Sequence, residues 1–302
     1  MVKVVIVGSV AFDDVKTPFG QVKMALGGSA TYASVACSLF SKAGIVGVVG
    51  SDFPKEHTDF LKEKGVDLRG LEVKEDGKTF HWAGEYGIDL NSAKTLQTDL
   101  NVLETFSPKI PEEYKNADFL FLGNIDPELQ LNVLSQMNKR PGLVIADTMN
   151  LWIEIKKEKV LEVVKKVDLC LMNDGEARML FNTSNLVKAA KEILALDSKI
   201  AIIKKGEHGC IMFSKDNHFS CPGYPLENVK DPTGAGDSFG GTLIGYLAKT
   251  NDFSEANMRK AIVYASSVAS FNAEGFSLEK LKKITLEDIE KRYGEFEKIV
   301  KF

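Results

Sequence analysis

The sequence predicts an α/β fold, a doubly wound and mainly parallel sheet flanked by helices, with a small β-sheet lid. Three observations predict it. Short apolar runs ending in glycine or a polar residue recur along the chain, segments of helical period lie between most of them, and two polar, aromatic-rich stretches break the alternation. Uninterrupted apolar runs are strands buried on both faces, and helices between them are the crossovers of a parallel sheet.

Residues 2–8 form the first run, VKVVIVG, and runs at 45–50, 119–123, 143–147, 169–173 and 200–204 repeat it. Helical spacing is clearest over 29–40, 56–64, 127–138, 160–166, 185–196 and 258–271. Another helix follows residue 237, where Phe239, Leu243, Tyr246 and Leu247 fall at helical spacing. Segments 12–25 and 77–106 read instead as short antiparallel strands, as in Lys78-Thr79-Phe80-His81-Trp82-Ala83-Gly84-Glu85-Tyr86. Placed over a doubly wound domain they make a lid that excludes water, or else an edge extension of the main sheet. With no internal repeat or low-complexity linker, residues 1–302 read as one domain whose lid is formed by about 12–25 and 77–106.

A chain of 302 residues, 44% hydrophobic, can bury a large core, which opposes disorder. The net charge of -4, with basic residues interspersed among acids, opposes nucleic-acid binding. Cys37, Cys170, Cys210 and Cys221 form no CxxC pair, and Met1 leads directly into a strand pattern, so a reducing cytoplasm is the expected location. No apolar run reaches the roughly 20 residues needed to span a bilayer, so no membrane partner is expected. His57, His81, His208 and His218 are scattered without metal spacing, which leaves zinc and hydrolase chemistry without support.

The chemistry is concentrated in Asp231-Pro232-Thr233-Gly234-Ala235-Gly236-Asp237-Ser238-Phe239-Gly240-Gly241. Glycines let backbone N–H groups crowd toward one point, and a helix start adds the positive end of its dipole, so the turn suits a phosphoryl group. A carboxylate there repels phosphate unless it has work to do, and accepting the proton of an attacking hydroxyl is such work for Asp237. A plain turn with an N-cap is the alternative. A dinucleotide fingerprint is discounted, because Phe239 stands where the third glycine belongs and no long apolar strand precedes the segment. A Walker A loop fails at Glu72, where its first glycine should stand before Gly77-Lys78-Thr79. In doubly wound sheets ligands bind beyond the carboxyl ends of the strands, which marks Asn124, Asp126, Asp147, Asn150, Asn173, Glu176, Lys205 and Gly206.

Together with Gly8-Ser9-Val10-Ala11-Phe12-Asp13, Gly27-Gly28-Ser29-Ala30-Thr31 and Asn173-Asp174-Gly175-Glu176, the segment resembles the PfkB (ribokinase-like) family of carbohydrate and nucleoside kinases, in the family's order over nearly the whole chain. The resemblance implies that Asp237 is the catalytic base and that the amides of Gly234, Ala235, Gly236 and Asp237 form the anion hole. It implies that Asn173 and Glu176 organise Mg²⁺ and its waters around the ATP phosphates, although the same spacing describes a helix cap. It implies that Lys205 and Gly206 stand where the family places a strand-end turn beside the nucleotide, although a solvated lysine is the ordinary alternative. Asp231 and Thr233 match positions that hold a monovalent cation, potassium, although Asp before Pro is also a common turn.

For the acceptor, the resemblance implies that Asp13 grips substrate hydroxyls while Gly27 and Gly28 let the ligand approach the backbone. The chain departs from the family pattern with Tyr32 in place of Asn and with Ala11 in place of a polar residue. Phe12, Tyr32 and Trp82 either line the pocket as an aromatic wall or pack the lid hinge. Asn124 and Asp147 join the acceptor set by their place at strand ends. The expected protein is an ATP- and Mg²⁺-dependent phosphotransferase acting on a hydroxyl of a small sugar or polyol. A nucleoside kinase is the alternative within the family. A non-catalytic ligand sensor is the alternative from another class, opposed by the intact Asp237. Unpaired lid edges suggest a homodimer.

Overall fold

The computed structural model describes residues 2–301. Its strands are Val4–Val7 (β1), Ala11–Thr17 (β2), Gly20–Gly27 (β3), Ala43–Gly50 (β4), Asp67–Lys74 (β5), Phe80–Tyr86 (β6), Ala93–Asp99 (β7), Phe119–Leu122 (β8), Leu143–Ala146 (β9), Leu169–Asn173 (β10), Ile200–Lys204 (β11), Cys210–Ser214 (β12) and His218–Cys221 (β13). Its helices are Ser29–Ser38 (α1), Lys55–Glu63 (α2), Pro127–Gln136 (α3), Asn150–Ile155 (α4), Lys157–Val164 (α5), Asp174–Phe181 (α6), Leu186–Ala195 (α7), Ala235–Thr250 (α8), Glu255–Ala273 (α9) and Leu286–Val300 (α10).

All six predicted runs become strands of one sheet, ordered β13-β12-β11-β10-β9-β8-β1-β4-β5. From β11 to β5 the neighbours run parallel, while β12 and β13 turn back antiparallel at one edge. Strand β1 shows why these runs carry no polar alternation. Val4 and Ile6 face a core shared with α1, α8 and α9, whereas Val5 and Val7 face a second core with α3 and α5. Both faces are dry, so every position is apolar. No helix among the described residues is long and apolar enough to cross a membrane.

The two interrupting segments form a separate sheet, ordered β3-β2-β6-β7. It is not an extension of the main sheet. It is also not wholly antiparallel, which corrects the sequence reading: β2 and β3 pair antiparallel, as do β6 and β7, but β2 and β6 run parallel, from Ala11↔Phe80 to Lys16↔Glu85. The reason lies in the main sheet. Strand β2 continues from β1 and β6 follows β5, and since β1 and β5 point the same way, the chain leaves both ends in the same direction.

Candidate active site

Helix α8 opens the site. Gly234 precedes it at φ 75°, and a Cβ there would stand 2.4 Å from the ring of Tyr32, so both the left-handed backbone and the close approach require glycine. Tyr32 is almost fully buried beneath this turn, with its hydroxyl lacking a hydrogen-bond partner. Asp231 is fully buried and fixes the turn from below: one carboxylate oxygen accepts from Thr233 N at 2.9 Å and the other from Ser277 N at 3.2 Å. Burial raises its pKa, against the pull of these donors. The Thr233 hydroxyl donates to Tyr86 Oη at 3.1 Å, tying the small sheet to the turn. Asn272 Nδ2 donates to Thr233 O at 2.7 Å, which leaves Asn272 Oδ1 buried and unpartnered.

Asp237 is the third residue of α8 and is only partly buried. Enclosure of its carboxyl, followed by the charge of Asp147, pushes its pKa up to about 7, with Lys204 opposing. Lys204 ends β11, and its ammonium donates to Asp147 Oδ2 at 2.5 Å. Burial works against the Lys204 charge, but Asp147, Glu176 and Asp237 outweigh it and keep the group protonated. Next to Lys204 in register is Asn173, the cap of α6. Asn173 Oδ1 accepts from Glu176 N at 2.8 Å, and the two Glu176 carboxylate oxygens accept from Asn173 N and Nδ2, each at 2.7 Å. The helix cap is therefore present, and it fixes the carboxylate at the strand end. Burial and Asp147 push the Glu176 carboxyl well above its usual range. Lys205 precedes a short helical turn, Gly206–His208, and Asn91 from the β6–β7 loop lies against Gly206.

Asp13 of β2 also feels the charge of Asp237. Burial, then the charges of Asp231 and Asp237, push it up to about 8, against the N–H of Gly28. Gly27 leaves room for this carboxyl, since a Cβ there would fall 1.9 Å from Asp13 Oδ2. The three aromatic candidates part company. Phe12, next to Asp13 in the strand, packs toward Phe53 and His57 with ring centroids 5.9 and 6.1 Å away. Tyr32 supports the Gly234 turn from beneath. Trp82 is the register partner of Asp13 and so shares its face of the small sheet; its indole lies over Gly84 and donates to Thr95 Oγ1 at 3.2 Å. Asn124 is held in the framework by Trp152 Nε1, which donates to its Oδ1 at 2.9 Å, and Asp126 caps α3 and pairs with Lys156.

The model of the pfkB family carbohydrate kinase matches residues 1–280. The chain belongs to this family. It is 31% identical over 253 residues to the cytidine kinase of Thermococcus kodakarensis, covering 82% of this chain and 89% of that one. An E. coli protein assigned as ribokinase II, solved with ATP and Mg²⁺, superposes with a TM-score of 0.81 at 19% identity, over 98% of this chain and 100% of its own. The nucleoside kinase of Burkholderia thailandensis with ADP-inosine gives 0.80 at 19% identity, over 99% and 96% of the two chains. The fold of this PfkB-family kinase is thus ribokinase-like, and the chain is a phosphotransferase of the carbohydrate and nucleoside kinase type.

Within this kinase two groups of charges meet. The charges of Asp231 and Asp237 raise Asp13, while Asp147, Lys204 and Asp237 all act on Glu176. Asp147, expected with the acceptor set, is paired with Lys204 on the Glu176 side. Sequence reasoning did not single out Lys204, Tyr86 or Asn272. A lysine ending an otherwise apolar strand was the available signal for the first.

Proposed function

We propose that this kinase transfers the γ-phosphoryl group of ATP to a hydroxyl of a nucleoside, with Asp237 as general base. One observation carries the reading: Asp237 is the third residue of α8, directly after the left-handed Gly234 turn, with Asp147 and Lys204 close enough to shift its carboxyl. The acceptor hydroxyl, held by Asp13, gives its proton to Asp237 as its oxygen bonds to the γ-phosphorus and the bond to the ADP oxygen breaks. A pKa of about 7 suits that duty near neutral pH. The amides of Gly234, Gly236 and Asp237, at the positive end of α8, stabilise the charge on the transferring group, whereas the Ala235 amide, expected among them, already donates to Pro232 O at 3.1 Å.

Asp147, Glu176 and Asp237 place three carboxyls around one lysine, a negative excess that suits Mg²⁺. Among the described residues no three His, Cys, Asp or Glu side chains converge as a metal cage. Asn173 and Glu176, fixed at the strand end by their reciprocal hydrogen bonds, would be the residues that hold such an ion. When bound, it neutralises the diphosphate leaving group. The buried Asp231 carboxyl and the unpartnered Asn272 Oδ1, which flank Thr233, suit a monovalent cation such as potassium. The small sheet serves as the lid, touching the anion turn through Tyr86 and the Lys205-Gly206 turn through Asn91. Its edge strands β3 and β7 would pair with a second copy; a concentration-independent monomer mass in solution would exclude this homodimer.

A nucleoside is favoured over the small sugar or polyol by the similarity to the cytidine kinase and by Trp82, an indole on Asp13's face of the small sheet. Asp13 alone fits either. The deciding experiment is acceptor-dependent ADP release from Mg·ATP over nucleosides, sugars and polyols, with and without potassium. Nucleosides should stimulate turnover most. Turnover with sugars and with no nucleoside would replace this reading by the sugar kinase, and no turnover with any acceptor would reject phosphoryl transfer to small alcohols.

A further inference from the structure

Lys204 has no role in the proton transfer described above, yet its ammonium is aimed at the centre of the site. It ends β11 beside Asn173, and its side chain is only 17% exposed. Asp147 Oδ2 takes one of its three N–H donors at 2.5 Å. On another side, Nζ stands 3.1 Å from where a Cβ on Gly236 would be, so it borders the turn proposed above to hold the phosphoryl group. Among the described residues no second hydrogen-bond acceptor engages Nζ. Two donors are therefore unspent next to an anion hole, and a buried lysine whose only partner is a buried carboxylate is a costly arrangement for stability alone.

We propose that Lys204 is a further catalytic residue, donating to an oxygen of the transferring γ-phosphoryl group while Asp147 holds its ammonium against Gly236. The inference rests on the kinase reading above. Lys204 forms and breaks no covalent bond: the acceptor oxygen bonds to phosphorus, the bond to ADP breaks, the proton goes to Asp237, and the lysine matches the charge on the oxygens in transit. It also predicts that the site senses the third phosphate through this side chain.

The test measures the Mg²⁺-dependent affinities of the β,γ-imido analogue of ATP and of ADP by titration calorimetry, for wild type, Lys204→Met and the double variant Lys204→Met/Asp147→Asn. The double variant removes both charges of the pair, so it serves where the single variant fails to fold. The analogue's affinity relative to ADP should fall about tenfold or more in both variants, the loss of a charge-assisted hydrogen bond. Acceptor-dependent kcat of Lys204→Met should fall roughly 100-fold, as for other single phosphoryl or oxyanion donors. The proposal is overturned if the ratio of the two affinities stays within about threefold of wild type in Lys204→Met, or returns to it in the double variant, since the lysine would then only neutralise Asp147. The binding measurement needs no acceptor, so wild-type inactivity toward every alcohol would count against the kinase reading and leave this test intact.

Discussion

Replacing Gly27 by alanine adds one methyl group, and its consequence should be confined to Asp13. The new Cβ would lie 1.9 Å from Asp13 Oδ2, 2.3 Å from Cγ and 2.9 Å from Oδ1. Ordinary carbon–oxygen contact needs more than about 3 Å, so the carboxyl has to move by about an ångström or turn away. Gly27 does not have a positive φ, so backbone strain is not the mechanism. Above pH about 8, where Asp13 is ionised, a hydroxyl read through a charge-assisted hydrogen bond contributes about 1.5–3 kcal/mol, which is roughly a 10- to 150-fold loss in kcat/KM for the acceptor. The assay is steady-state ADP release with acceptor varied at saturating Mg·ATP, then with ATP varied at fixed acceptor. The loss should fall on the acceptor's kcat/KM, with KM for ATP little changed, and Gly27→Ala should add little in an Asp13→Asn background because both remove the same contact. An acceptor kcat/KM within twofold of wild type, or an equal loss of ATP affinity, would refute the placement of Asp13 at the acceptor.

Trp82→Ala should raise KM for a nucleoside by roughly 5- to 150-fold, the worth of one base stacked on an aromatic ring, while leaving KM for ribose unchanged; equal KM values in both proteins would remove Trp82 from base recognition. The ligand-free protein should lose stability as pH rises. Asp13 and Asp237 titrate at about 8 and 7 in the folded state, against about 3.9 unfolded, so the folded state binds more protons between those values. That contribution is complete below pH about 4 and is lost as pH climbs through 7 to 8, so thermal melting should show Tm falling from pH 6 to 8.5, and a flat or rising Tm over that span would contradict the shifts.

The buried architecture was legible because burial on both faces leaves an unmistakable run of apolar residues, as in Val4–Val7 and Leu143–Ala146. Strand β5 escaped notice because an edge strand with partly exposed residues, DLRGLEVK, carries charges through its length. The β12–β13 hairpin and the charged helix α10 were missed for the same reason, since each shows water one face. The segments of the small sheet were legible, but the parallel β2–β6 pairing was not, because it is dictated by strands of the other sheet. In the site, Asp237 stood out as a carboxylate among glycines. Lys204 did not, because its partner Asp147 is 57 residues away and only the strand order β9-β10-β11 brings them together. The face of an aromatic residue depended on register as well: Trp82 joins Asp13 only once β6 is laid beside β2.

The central claim, that Asp237 is the base of a phosphoryl transfer, is tested most directly by Asp237→Asn, with kcat measured beside Mg·ATP affinity. General-base catalysis is worth roughly 10²- to 10⁴-fold, so kcat should fall by at least about 100-fold while ATP affinity stays within about threefold. A variant that keeps kcat within tenfold of wild type would contradict the account.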